Sequence, residues 1–339
     1  METTKPIASL SLDLDNQWSY MKTHGDQGWQ TFPSYLDVVV PRVLNFLEES
    51  ELKITFFIVG QDAALAKNHA AIRSIATAGH EIGNHSFHHD PWLHLYSEKQ
   101  IETELERAEG YIEGVTGQKP IGFRGPGYSL SSSTIQVLMR RGYLYDASTL
   151  PTFLGPLARA YYLMTTDMGD EEKRRRKKLF GSLRDGFRPI KPYRWQVDAE
   201  STSDGLIEIP VTTMPILKVP FHVSYILYLS TFSPKLALAY FKLALLLCRL
   251  RNIQPSLLLH PLDFLGCDDV RGLAFFPAMK LQSETKLQVV NEVLQIYSNQ
   301  YTVLPLKHHA QLAAESFHTQ IIGEESGSDI VGEEQGLPL

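Results

Sequence analysis

Three short segments carry side chains able to bind a divalent metal and move protons. They are Asp13-Leu14-Asp15, His85-Ser86-Phe87-His88-His89 and Arg124-Gly125-Pro126-Gly127. A catalytic zinc site takes three protein ligands, nitrogen or carboxylate oxygen, and keeps one position open. Two histidines four residues apart with one carboxylate meet that need. His88 and His89 are adjacent, so at most one of them faces a shared ion. Asp13 and Asp15 fall on the same side of a strand, because side chains alternate with period two. One can bind metal while the other stays free to take a proton. A guanidinium fork matches a carboxylate bidentately, so Arg124 can hold the free one. Further on, Leu257-Leu258-Leu259 ends in His260, a candidate to protonate a leaving group.

Each of these motifs is common alone. Their weight comes from the elements that position them. Apolar or β-branched runs over 7–15, 53–60, 80–85, 121–124, 143–148, 206–211, 256–260 and 301–306 read as strands. Helical spacing covers 34–49, 63–78, 98–115, 132–141, 235–250 and 285–297, with glycines at 79, 117 and 142 as stops. Strands alternating with helices imply a largely parallel sheet covered on both faces. In such folds chemistry gathers at the carboxyl ends of the strands, and the motifs fall there.

The chain of 339 residues is within reach of one α/β barrel, and a formal charge of −6 does not point to nucleic acid as a partner. The first residues lack the basic start and apolar core of a signal peptide. Cys248 and Cys267 sit in unrelated contexts and read as reduced thiols, which suits a cytoplasmic protein. Residues 1–321 read as a single catalytic domain, interrupted by a basic insertion over 151–205 and an apolar helical segment over 216–251. Residues 322–339 are acidic and glycine-rich, the composition of a disordered tail.

On these residues the chain resembles the polysaccharide deacetylase superfamily, also known as the NodB-homology or carbohydrate esterase family 4 fold. The likeness covers 7–150 well and 206–306 more loosely. It rests on Asp13 and Asp15, on His85-Ser86-Phe87-His88-His89 in full, on Arg124-Gly125-Pro126-Gly127-Tyr128 loosely, and on Leu257-Leu258-Leu259-His260. The flanking runs at 55–60, 79–86 and 122–124 fit as well. The resemblance implies a distorted (β/α) barrel of about seven parallel strands with an inserted segment. It makes Asp15, His85 and His89 the metal ligands, Asp13 the base, Arg124 its partner and His260 the acid. It also implies a backbone N–H near Tyr128 as oxyanion donor. Zinc is the expected metal, with cobalt, manganese or nickel also suited to an Asp-His-His site. The family's usual further aspartate and aromatic match poorly to Asp198 and Trp195, and the carboxylate that orients His260 stays unassigned.

The implied reaction removes an N-acyl group, acetyl foremost, from an amino sugar. Hydrolysis of another C–N bond, in a formamide or cyclic amide, is the nearest alternative. A catalytically idle protein that keeps the metal pocket for binding is the alternative from another class. Trp18, Tyr20, Tyr128 and Trp92 are candidates to line a sugar site, although aromatics also simply pack. Asp90, Trp92 and His94 have the choice of lining the cleft or capping the next helix. Two features suggest a membrane face or a lipid- or phosphate-linked substrate. One is the basic stretch 173–194. The other is Lys235, Lys242, Arg249 and Arg251 on an apolar helix too short to span a bilayer. That helix equally suits a core or a dimer surface, and the oligomeric state is left open.

Overall fold

The computed structural model describes residues 5–155, 183–195, 205–270 and 272–328, with side chains as far as Phe317. All eight expected strands form. In chain order they are β1 (Ile7–Asp13), β2 (Thr55–Ile58), β3 (Glu81–Asn84), β4 (Gly122–Phe123), β5 (Tyr145–Asp146), β7 (Ile207–Glu208), β8 (Ser256–Leu259) and β9 (Thr302–Leu304). One strand was not foreseen: β6 (Tyr193–Arg194), inside the basic insertion. The sheet runs β6-β7-β5-β4-β3-β2-β1-β8, with β9 also on β1. Every pairing is parallel except β6 with β7. The two ends of this path do not pair, so the described sheet is an unclosed, distorted barrel.

β1 is the hub. It pairs with β8 along Ser9–Leu12, with β2 along Ser11–Asp13 and with β9 along Ile7–Ser9. Its alternation explains how a buried strand ends in a charged site. Ala8, Leu10, Leu12 and Leu14 enter the main apolar core. Ser9, Ser11 and Asp13 form the opposite face and are also buried. Ser9 Oγ meets His309 Nδ1 at 2.8 Å, and Ser11 and Asp13 share Arg124. The interior of the barrel is therefore polar along this line, and each of these three side chains has a partner.

Helices cover the sheet. They are α1 (Gln17–His24), α2 (Leu36–Glu49), α3 (Gly60–Ala63), α4 (His69–Thr77), α5 (Glu98–Thr116), α6 (Ser132–Arg140), α7 (Val223–Ser230), α8 (Pro234–Leu250), α9 (Ser283–Gln300) and α10 (Leu306–Ser328). α5 starts at a reciprocal capping box between Ser97 and Gln100 and stops at Gly117 in the left-handed region. One expectation fails. The helix expected over 63–78 is broken: α3 ends at Ala63, a single 3-10 turn spans Ala66–Asn68, and α4 begins at His69. The break turns Asn68 inward, where its Nδ2 donates to Asp62 Oδ1 at 3.0 Å. At the other end, α10 runs to Ser328, and residues 329–339 of the expected tail lie outside the described residues. The block Lys173–Lys178 lies outside the described residues.

Candidate active site

Asp13 closes β1, and its Oδ1 accepts from Arg124 Nη1 at 2.7 Å. The same nitrogen donates to Ser11 Oγ at 2.9 Å, and Nε donates to the Ala147 carbonyl at 2.9 Å. The guanidinium is wholly buried, 4.4 Å from the centre of the Phe57 ring. A buried cation of this kind needs an anionic partner, and Asp13 supplies it. The grip is through one nitrogen rather than the bidentate fork expected. Nη2 has no hydrogen-bond partner, because Ser11 and Ala147 take the other directions. Arg124 thus fixes Oδ1 of Asp13 and leaves Oδ2 to the cluster beside it, 4.0 Å from His85 Nε2.

That cluster is Asp15, His85 and His89. His85 Nδ1 donates to the Arg124 carbonyl at 2.6 Å, which sets its tautomer and turns Nε2 inward. Asp15 Oδ1 lies 3.3 Å from His85 Nε2 and 2.8 Å from His89 Nε2. One ligand atom from each residue lies within 4.8 Å of the other two. The short contact to His89 lacks hydrogen-bond geometry: Asp15 Oδ1 and both ring nitrogens of His89 are buried without a hydrogen-bond partner. Buried polar atoms left this way are costly. A single cation would satisfy them together. Two imidazoles and one carboxylate with an open side fit a catalytic divalent metal, zinc among the candidates.

Charge is arranged to match. Burial works to raise the Asp15 pKa, but His89 and His85 override it and hold the carboxyl well below its ordinary range. Burial works to lower that of His85, yet Asp13 and Asp15 carry it above the ordinary imidazole value.

The loop holding the histidines has an unfavourable backbone. Ser86 (φ 60°) and His89 (φ 53°) are left-handed without being glycine. Strain of this kind persists only where the surroundings over-determine it. Here the restraints are plain. Asn84 Oδ1 accepts from Ser86 N at 2.9 Å, and Ser86 Oγ from His89 N at 3.2 Å. Glu104 accepts from the backbone of Phe87 and His88 and pairs with the His88 ring. His88 is thereby turned to α5, leaving His89 to the cluster. Lys22 Nζ ties the far side, donating to the His88 carbonyl at 2.9 Å and pairing with Asp90 at 2.6 Å. Asp90 also accepts from Tyr96, and His94 meets Ser129 at 2.9 Å. These residues knit the loops together rather than cap the next helix. In the Arg124 loop, a Cβ on Gly125 would lie 2.0 Å from the Ser129 carbonyl oxygen, so only glycine makes this turn.

His260 follows Leu259, which pairs with Leu12, so it stands next to Asp13 at the carboxyl edge of the sheet. Its Nδ1 meets Ser224 Oγ at 3.0 Å, and its N–H donates to Asp263 Oδ2 at 2.8 Å. Asp263 thus meets the backbone of His260, while the ring is held by Ser224. Burial raises its pKa, while His260 and the Ser224 hydroxyl pull the other way.

Three placements correct the sequence reading. Trp18 is only 1% exposed; its Nε1 donates to Asp62 at 3.0 Å and its ring meets that of His89 edge-on. It backs His89 and offers no face to a sugar. Tyr20 is buried against Phe276. The Tyr128 N–H donates to the Gly125 carbonyl at 3.0 Å, so the expected oxyanion donor is spent within its own turn. Burial and then Asp13 raise the pKa of the Tyr128 phenol. Trp92 is half-buried, 5.8 Å from Lys22 Nζ.

Trp195 does not approach His260. Its Nε1 donates at 3.0 Å to Glu208 Oε2, and Asp198 lies outside the described residues. Glu208 belongs to a buried carboxyl pair that sequence reasoning missed. Its partner is Asp146, whose neighbour Ser148 accepts from the N–H of Gly125 at 2.8 Å. Glu208 Oε1 accepts from Thr149 N and Oγ1. Burial, then Asp146, pushes the Glu208 pKa well above its ordinary value. The available signals were a charged residue inside the apolar run Leu206–Val211 and an aspartate ending a strand as Asp13 does.

Comparison with known proteins fits this arrangement. Residues 21–145 match the family model described as polysaccharide deacetylase. A peptidoglycan deacetylase-like protein of Gibberella zeae is 33% identical over 164 residues, 47% of this chain and 46% of the relative. The peptidoglycan deacetylase of Helicobacter pylori is 28% identical over 131 residues, 39% and 42% of the two chains. The chain therefore spans less than half the length of these curated relatives. A crystal structure described as a polysaccharide deacetylase from Mycobacterium smegmatis superposes with a TM-score of 0.58 at 20% identity, covering 100% of this chain and 96% of that one. It shares the fold. The likeness to the polysaccharide deacetylase family model is confined to residues 21–145.

Proposed function

We propose that this chain is a metal-dependent amidohydrolase that removes an N-acyl group, acetyl foremost, from an amino sugar within a glycan. The observation that carries the reading is the convergence of Asp15, His85 and His89 beside an Asp13 fixed by Arg124. The relatives' names add peptidoglycan to the substrates worth testing.

A divalent cation held by Asp15, His85 and His89 would polarise an amide carbonyl and make water easier to ionise. The chain's own groups handle the rest. Asp13 Oδ2, left open by the Arg124 contact, takes a proton from the attacking water. The new C–O bond forms as the amide C–N bond breaks. His260, with Nδ1 held on Ser224, presents Nε2 to protonate the departing nitrogen. The products are a free amine and a carboxylic acid. Tyr128 and Trp92 flank this place and are the groups to meet the sugar.

Protein reloaded separately with zinc, cobalt, manganese or nickel should be assayed for acid release. The substrates are N-acetyl and N-formyl amino-sugar oligomers, peptidoglycan fragments and a cyclic amide. Acetate release that a chelator abolishes is expected. Asp13→Asn should lower it by about 10²–10⁴-fold with metal content unchanged. Metal-loaded protein that releases no acid from any N-acyl sugar, or full turnover by Asp13→Asn, would remove this reading. Release confined to the formamide or cyclic amide would move it to the neighbouring reaction.

A further inference from the structure

The outer face of α8 has no role in the site just described. The inner face is core: Ala237, Phe241, Ala244, Leu245 and Cys248 are buried. The outer face is also apolar but lies in solvent. Leu236 is 71% exposed, Leu243 48% and Leu250 71%, at seven-residue steps. Leu246 lies between the last two, and Phe232, 75% exposed, extends the stripe past the helix start. A soluble surface helix normally turns charge and polarity outward. This one keeps leucine on both faces.

The charges on α8 are of one sign. Lys235, Lys242 and Arg249 are exposed and also recur every seven residues, one position before each leucine of the stripe. They form a cationic flank along its whole length. The helix contains no acidic residue. It is anchored through Tyr240, whose hydroxyl donates at 2.9 Å to Pro220. Pro220 closes a turn whose tip, Ile216 and Leu217, is 68% and 62% exposed.

We infer that this face docks on an anionic lipid surface, with the leucine stripe entering the headgroup boundary and the cationic flank reaching the phosphates. The pattern is that of a helix lying in the interface plane. At 17 residues it is about 25 Å long, and no described helix is long and apolar enough to cross a membrane. Charge decides against a second copy. A two-fold pairing through the stripe would bring the same lysines and arginine together, with no carboxylate on the helix to receive them. An anionic surface is complementary along the full flank. In the basic stretch of the insertion Arg188 is paired with Asp185 at 3.0 Å, and Lys173–Lys178 lie outside the described residues.

The test uses the full, metal-loaded chain and two kinds of vesicle, phosphatidylcholine alone and phosphatidylcholine with phosphatidylglycerol. Co-sedimentation should be strong only with the anionic vesicles and should weaken as salt rises. The triple variant K235Q/K242Q/R249Q alters only exposed side chains. It should lose roughly a hundredfold in partitioning, because each cation contributes comparably. L236E/L243E should abolish binding, and a tryptophan placed by L243W should shift its emission to the blue on vesicles. Equal binding to both vesicles, none at low salt, or an unaltered triple variant overturns the inference. So does a concentration-dependent dimer that L236E/L243E dissolves, which would give the face to a second copy. Acid release from a soluble substrate should be unchanged in the triple variant, so the lipid result stands apart from the deacetylase reading.

Discussion

Two pairs of buried carboxyl groups sit at the carboxyl edge of one sheet, and their surroundings set them to opposite states. Asp13 and Asp15 end β1 among a guanidinium and two imidazoles. Asp146 and Glu208 end β5 and β7 among hydroxyls, a backbone N–H and an indole. Two buried carboxylates cannot both ionise unless cations compensate them. The first pair has those cations, and Asp15 is held well below the ordinary carboxyl range. Among the described residues the second has none, and Glu208 is pushed well above it. A pair of this kind is expected to share one proton. The first site groups three donors that could hold a metal ion. The second, through Ser148 and the Gly125 N–H, fastens the loop that begins with Arg124.

The largest effect should come from breaking the first pair. Asp15→Asn leaves the shape but removes the anionic ligand. Loss of an outer partner alone costs a metal site roughly 10–100-fold in affinity, so loss of this ligand should exceed about a hundredfold. Competition with a chelating dye would measure it. Glu208→Gln, titrated in the same way, should bind metal within a factor of a few. Equal losses in the two variants would mean that the pairs are not distinct in function.

The second prediction sharpens the contrast through pH. The folded pKa of Glu208 lies above its unfolded value. Its contribution to stability is therefore complete below the unfolded pKa and is lost as pH rises through the folded one. The carboxamide introduced by Glu208→Gln would keep a donor toward Asp146 and cannot titrate. Denaturation midpoints in urea should fall with alkaline pH in the wild type and fall less in Glu208→Gln. Parallel pH profiles would show that the pair does not share a proton.

The difference between the pairs also governs how far each was legible in the sequence. The first announces itself because a metal needs several donors, and those donors recur as short motifs at strand ends. The strands were readable because β1, β2 and β8 are continuous apolar runs. The second pair needs only hydroxyl neighbours, which are common, so Asp146 and Ser148 passed as the end of a strand. Glu208 was hidden by its apolar flanks for the same reason that it is buried. The two-residue β6 forms only as an antiparallel edge on β7, a tertiary context that no local pattern carries. Trp18 was read as a ligand-facing aromatic because sequence gives its nearness to Asp15 but not the direction of its ring. That ring is fixed by Asp62, which also takes Asn16 and Asn68. Burial pushes the Asp62 pKa to about 7 even with those donors in place.

The smallest predicted effect concerns the carboxyl that acts at one remove. Asp263 is buried like the others, but it meets His260 through a backbone N–H and through the hydroxyl of Ser224 rather than ring to carboxylate. A hydroxyl that donates to Asp263 accepts from His260 Nδ1–H, which leaves Nε2 to the substrate. On the proposed function Ser224 is a positioning residue. Its hydrogen bond is worth about 1 kcal/mol, so Ser224→Ala should lower kcat about five- to tenfold. KM and metal content should hold, and Ser224→Thr should restore part of the loss. A purely structural role would instead lower stability or metal content and leave the kcat of the folded fraction intact. Unchanged kcat in a well-folded Ser224→Ala protein would show that the ring of His260 is oriented by something other than this hydroxyl, and would detach Asp263 from the proton-donating side of the site.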